Sequence, residues 1–184
     1  MKDYIEAVVE LHNIINPQII NKLTSYIDHK AKKYLDIEGG MDKNVRNVRG
    51  YQLGFKTPSE MFYWNYIKKE IERLYSFYKI KFPKMKSYSL NQIDLLKYDI
   101  GGKYDVHVDY YGGLHLSRTL SIIMNLNDEY EGGDLIFTDQ KEKEIKRIKL
   151  GKGSIVFFPS NFMYPHSIQP ITKGTRYSIV AWLQ

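Results

Sequence analysis

From about residue 87 to its end the chain is a succession of short runs rich in apolar and β-branched residues, broken at Gly101-Gly102, Gly112-Gly113, Gly132-Gly133, Gly151-x-Gly153 and Gly174. Runs of that kind between glycine and polar turns specify an all-β sandwich or barrel. The spacing predicts strands near 88–98, 103–109, 117–126, 134–138, 144–149, 154–158, 164–168 and 175–183. The first half has a different rhythm. EAVVEL (6–11) reads as a short strand, and Asn16-Pro17 then supplies a favoured N-cap and a proline at the first helical position. Ile19, Ile20, Leu23, Tyr26, Ile27, Ala31, Tyr34 and Leu35 follow at helical spacing, so a first helix is expected to end before Gly39-Gly40. After a polar loop feeding a strand (41–56), Thr57, Pro58 and Glu60 combine N-cap, N1 proline and capping-box acid, with Met61, Phe62, Ile67, Ile71, Leu74, Tyr75 and Tyr78 as the buried stripe of a second helix. The expected protein is mainly β with flanking helices, one domain over 1–184: helical support over about 16–80 and a β core over about 87–184.

Composition narrows the chemistry. With 184 residues, 43% hydrophobic and 14% aromatic, the chain can bury a sizeable core. It has no cysteine, which excludes disulfides, thiolate metal sites and a cysteine nucleophile, so any metal is held by histidine, carboxylate or water. No apolar leader follows Met1 and no run approaches a membrane span, so a soluble, cytoplasmic protein with no membrane partner is expected. The formal charge of +6 is scattered. In KEKEIKRIK (141–149) acids interleave with bases, which reads as a solvated strand face and leaves nucleic acid the lesser reading.

The chemistry-bearing residues lie in the β half. In YDIGGKYDVHVD (98–109), His107 and Asp109 are two apart, so on an extended strand an imidazole and a carboxylate share one face. His166 and, ten positions on, Arg176 stand at the parity a neighbouring antiparallel strand would present. Two histidines and one carboxylate make a facial triad that leaves positions on a non-haem Fe(II) open for a cosubstrate and O2. Arg176, an inward-facing charge in an apolar strand, suits the far carboxylate of a dicarboxylic acid. His12, His29 and His115 lack such company and read as surface or core histidines.

On VRNVRGYQL (45–53), Tyr98, His107-x-Asp109, RTLSIIMNLN (118–127), EGGDLIF (131–137), GKGSIVFFP (151–159), His166, and Pro170 through KGTRYS to Trp182, the chain resembles the Fe(II)- and 2-oxoglutarate-dependent dioxygenases of prolyl 4-hydroxylase type. The resemblance covers nearly the whole chain and implies a double-stranded β-helix, a jelly-roll, cupin-like barrel braced by two N-terminal helices. It implies His107, Asp109 and His166 as iron ligands, Arg176 as partner of the distal carboxylate of 2-oxoglutarate, and Tyr98 and Tyr104 as cosubstrate-binding tyrosines, against the alternative that two of 16 tyrosines are packing. Arg118 and Trp182 match positions that approach a peptide substrate. The implied activity is hydroxylation of an unactivated C–H bond, of a peptidyl proline first, with 2-oxoglutarate and O2 as cosubstrates, ascorbate as reductant and a peptide or protein as partner. The alternatives are another peptide side chain, a free amino acid, or a non-catalytic cupin-like metal-binding module. A nucleic-acid demethylase is disfavoured because Trp182 stands where those relatives carry a second arginine. The chain departs from many relatives at Asn125, where they have tyrosine.

Overall fold

Side-chain alternation on three long strands organises the molecule. In the computed structural model, which describes residues 3–37, 40–86, 89–110 and 118–184, strands β1 to β14 are numbered in chain order. The larger sheet has seven, in the order β1 (Val9–Leu11), β11 (Ile155–Pro159), β7 (Leu120–Asn125), β14 (Arg176–Leu183), β5 (Leu90–Tyr98), β4 (Arg49–Gln52) and β2 (Lys33–Tyr34). The smaller has five: β10 (Glu144–Ile148), β9 (Leu135–Thr138), β12 (His166–Ile168), β6 (Lys103–His107) and β3 (Arg46–Asn47). A third pair joins β13 (Ile171–Gly174) to β8 (Tyr130–Gly132).

On β5, β7 and β14, odd-and-even alternation sends residues to opposite faces. Ile93, Leu95, Leu120, Ile122, Met124, Ile179, Ala181 and Leu183 meet Ile20, Leu23 and Ile27 of helix α1 (Pro17–Lys30) and Tyr63, Ile67, Ile71, Leu74 and Tyr78 of helix α2 (Pro58–Lys81) in one apolar cluster. The other face contributes Leu96, Tyr98, Ile123, Val180 and Trp182 to a second cluster, shared with Leu135, Phe137 and Ile168 of the smaller sheet. The two sheets therefore pack face to face, with the helices behind the larger one. No strand pairing joins the sheets among the described residues, so they do not close into a barrel. No helix is long and apolar enough to cross a membrane among them.

Several expectations are corrected. Helix α1 stops at Lys30, because Lys33 and Tyr34 pair instead with Gly50 and Arg49. EAVVEL divides between a 3-10 turn (Asp3–Ala7) and β1. Helix α2 begins as predicted, with Thr57 Oγ1 accepting from Glu60 N at 3.2 Å and the Thr57 backbone among the groups that bear on the Glu60 carboxyl. Its carboxylate accepts from Lys56 N at 2.6 Å and from the Tyr51 hydroxyl, which turns Glu60 inward. That rotation buries Glu60 and Tyr63 and leaves Met61 and Phe62 about half exposed. The segment read as a polar loop feeding a strand, 41–56, holds two short strands, β3 and β4, and β8 and β13 were not expected. Gly39, Gly112-Gly113, His115 and the expected strand starts at 88 and 117 lie outside the described residues.

Candidate metal centre

Strands β6 and β12 run antiparallel with His107 opposite His166. Residues paired in this way project from one face, and the two imidazole centroids are 4.3 Å apart. Two residues beyond His107, Asp109 brings a carboxylate oxygen to 3.6 Å from His107 Nε2 and the other to 3.8 Å from His166 Nε2. One donor atom from each of the three lies within 4.8 Å of the others.

The backbone sets which nitrogens face inward. His107 Nδ1 is 2.8 Å from the Asp105 carbonyl, and His166 Nδ1 is 3.1 Å from the Tyr164 carbonyl. A carbonyl only accepts, so each Nδ1 donates and each Nε2 presents its lone pair toward Asp109. Burial, with His107 alongside, pushes the His166 pKa down to about 4. For Asp109, burial alone would raise the carboxyl; the facing His166 and His107 outweigh it and hold it well below the usual carboxylate range. At neutral pH His166 is thus a neutral imidazole and Asp109 a carboxylate, donors in the deprotonated form that a divalent cation takes. Among the described residues Asp109 Oδ2 is buried with no hydrogen-bond partner, an acceptor left for such an ion.

Arg176 faces this cluster from the opposite sheet. The structure corrects the expectation that His166 and Arg176 sit on neighbouring strands: β12 belongs to the smaller sheet and β14 to the larger, with β13 between them in sequence. His107, Asp109, His166 and Arg176 nevertheless line one pocket of about 420 Å³, together with Arg46, Tyr98, Tyr104, Ser178 and Trp182. Arg176 is 1% exposed, donates through Nη1 to Ser178 Oγ at 3.2 Å, and among the described residues has no partner for Nε or Nη2. A buried guanidinium with free donors is costly unless an anion completes it. A dicarboxylate reaching from the His107, Asp109 and His166 cluster would supply one. Gly133, at φ +69, makes room: a Cβ there would stand 2.5 Å from Ile171 Cδ1 and 3.1 Å from Arg176 Cδ.

Tyr98 pairs with Arg176 in the β5–β14 ladder, and its ring centroid is 5.1 Å from Arg176 Cζ. Tyr104 stacks on His107, centroids 3.5 Å apart and planes 18° apart, and Arg46 Cζ covers its other side at 4.6 Å. Trp182 lines the same pocket with a buried Nε1 that lacks a partner among the described residues. Arg118 lies farther out, Cζ 3.6 Å from the centroid of the Trp182 ring, in a vestibule shared with Arg46, Tyr104, His107 and Asp109. Arg46 and Ser178 were missed. The charge at position 46, in a segment read as a loop, was the available signal for Arg46; a serine between apolar residues gives none. Asn125 takes no place in the pocket: its Nδ2 ties down the carbonyls of Asn127 and Leu150 at 2.6 and 2.9 Å. His12 contacts Ser154 Oγ at 3.3 Å, and His29 is exposed in the last turn of α1.

Comparison with known proteins adds four likenesses. The family model described as the 2OG-Fe(II) oxygenase superfamily matches residues 93–184, half of the chain. A PKHD-type hydroxylase of Synechococcus sp. (strain CC9902) is 35% identical over 108 residues, covering 55% of this chain and 47% of that protein. Another from Psychrobacter sp. (strain PRwf-1) is 27% identical over 184 residues, covering 95% of this chain and 68% of its own. The chain thus spans about half the length of the first relative and two thirds of the second. In fold it is similar to a prolyl hydroxylase from Trichoplax adhaerens, solved in complex with a hypoxia inducible factor oxygen degradation domain peptide fragment. That likeness has a TM-score of 0.77 and 15% identity, over 99% of this chain and 86% of that one.

Proposed function

The chain belongs to the 2OG-Fe(II) oxygenase superfamily, and on that premise we propose that it hydroxylates an unactivated C–H bond, that of a prolyl residue in a peptide or protein. When bound, Fe(II) with 2-oxoglutarate and O2 supplies the oxidising chemistry, with succinate and CO2 as coproducts. His107 Nε2, Asp109 and His166 Nε2 would hold the metal. The buried Arg176, supported by Ser178, would fix the distal carboxylate of 2-oxoglutarate, while Tyr98 walls the same end of the pocket. Tyr104 keeps the His107 ring in plane against the Asp105 carbonyl. The apolar wall of Leu96, Ile123, Ile168 and Val180 excludes water from the reacting centre. Arg118 stacked on Trp182 forms the platform on which substrate is laid. In this reading the two facing sheets are the double-stranded β-helix of the family, and the residues act as one oxygenase domain.

One observation carries the reading: a buried guanidinium with two unpartnered donors shares a pocket with a two-histidine, one-carboxylate cluster. A metal-binding module without a dicarboxylate needs no such cation. The prolyl substrate is supported by likeness of fold to a prolyl hydroxylase solved with a peptide. The test is anaerobic titration of the metal-free protein with Fe(II) and 2-oxoglutarate, watched for the weak visible charge-transfer band of the chelate, then O2 with a proline-containing peptide. A band and peptide-stimulated succinate are expected. Folded, iron-loaded protein that gives no band would sink the oxygenase reading, whereas a band without stimulation by the peptide would sink the prolyl one.

A further inference from the structure

The vestibule outside the metal pocket carries two arginines, and the platform role given to Arg118 above leaves the charge of both without a stated partner. It encloses about 1140 Å³ between Asp36, Ile37, Val45, Arg46, Tyr104, Tyr110 and Arg118. Arg46 and Arg118 stand in its wall, each spread over an aromatic face: Arg46 over Tyr104 and Arg118 over Trp182. Stacking fixes a guanidinium plane and leaves its N–H edge free for bidentate hydrogen bonding.

Neither edge is filled from within. Arg46 donates through Nη1 to the Asp36 carbonyl at 2.9 Å, while its Nε is buried without a partner. Arg118 makes one long bond, Nη2 to Gln92 Oε1 at 3.3 Å. Among the described residues neither guanidinium has a carboxylate oxygen within the 4.0 Å of an ion pair. Of the nearby acids, Asp36 lines the vestibule itself without an ion pair to either guanidinium, and the other two are engaged elsewhere. Asp109 belongs to the metal cluster, and Asp94 attracts both arginines but takes Gln92 Nε2 on its two oxygens at 2.9 and 3.0 Å. The segment between Tyr110 and Arg118, YGGLHLS, contains no acidic residue.

We propose that Arg46 and Arg118 are specificity-determining residues that select a peptide carrying a carboxylate, an aspartyl or glutamyl side chain next to the residue placed over the metal centre. This inference rests on the oxygenase reading for what the site does, and it names the substrate class. The inner pocket adds no competing charge once loaded: metal and Arg176 carry three positive charges together, matched by Asp109 and a cosubstrate dianion. Outside it, the vestibule wall sets Arg46 and Arg118 against Asp36 alone among the described residues, a surplus of positive charge facing the substrate. Ion pairs formed there are half buried and anchored on aromatic planes, so they discriminate more than exposed pairs do.

The test uses three fluorescent peptides of one length with a central proline, flanked by aspartate and glutamate, by asparagine and glutamine, or by lysine. Their affinities are read by anisotropy on protein loaded with Mn(II) and 2-oxoglutarate without O2, and succinate formation with Fe(II) and O2 is read separately. The acidic peptide is expected to bind roughly tenfold more tightly than the neutral one, the scale of one or two charge-assisted hydrogen bonds, and its advantage should shrink as salt rises. Arg118→Glu and Arg46→Glu should each move the preference toward the lysine peptide. Equal affinity for all three peptides, or a preference that both reversals leave unmoved, overturns the inference. The two readouts separate the claims, since affinity decides peptide charge and succinate decides the oxygenase.

Discussion

The two faces of the larger sheet, built from the same three strands, are opposite solutions to burial. Facing the helices, β5, β7 and β14 present Ile93, Leu95, Ile122, Met124, Ile179 and Ala181, an unbroken apolar layer. One residue over, the same strands present Asp94, Tyr98, Ser121, Asn125, Arg176, Ser178 and Trp182. The helix side holds one buried carboxylate, Glu60, fully tied by Tyr51, Lys56 and its helix terminus. The pocket side keeps Arg176, Asp109 and Trp182 with free polar atoms. The first face is where folding free energy comes from, and the second is where it is held back for ligands.

Substitutions on the two faces should therefore fail in different ways. The largest effect is expected at Asp109→Ala, which removes the anionic ligand: metal binding and peptide-stimulated succinate should both be lost, while the thermal transition of the metal-free protein persists. Metal titration followed by calorimetry checks it. Next is Ile179→Ala on the helix side, fully buried, which should destabilise by about 2–5 kcal/mol in urea unfolding while the folded fraction keeps its 2-oxoglutarate affinity. Arg176→Met should do the reverse, leaving ligand-free stability unchanged or raised by about 1–4 kcal/mol, since an uncompensated buried charge is gone, and abolishing 2-oxoglutarate binding by calorimetry. If Arg176→Met instead unfolds the protein, the contrast between the faces is wrong.

The smallest effect concerns Glu60 and pH. The Tyr51 hydroxyl holds the Glu60 carboxyl below its ordinary value, and the same bond pushes Tyr51 up to about 12. A carboxyl depressed by folding binds its proton more readily when unfolded, so its stabilisation is present above the ordinary glutamate range and is lost as pH falls through it. Wild type should melt above Glu60→Gln at pH 7, and the gap should close on acidification. A gap that widens in acid would show that Glu60 is not anchored as described.

How far these features could be read ahead follows from their distance in sequence. His107-x-Asp109 and the caps at Asn16 and Thr57 depend on neighbours, and they were visible. The burial of α2 was not, because the Glu60 side chain turns toward Tyr51 on β4 and rotates the helix, exposing Met61 and Phe62. Nor was the end of α1 at Lys30, which is decided by strand pairing to Gly50. Arg176 was legible as a misplaced charge. That it faces His166 from another sheet was not, since parity gives the face of a strand and not the sheet that the strand joins.

The hydrogen bonds that orient the two histidines end on peptide carbonyls, at Asp105 and Tyr164, each two residues before its histidine. No exchange of side chain at 105 or 164 can delete a carbonyl. The outer layer of the metal centre is therefore sheltered from point mutation in a way that a carboxylate partner would not be. The exposed Asp105 can be exchanged without touching that bond, whereas Tyr164 is held by its burial and by its hydroxyl's bond to the Tyr4 carbonyl at 2.8 Å; a slip of the β6–β12 register would disturb both histidines at once.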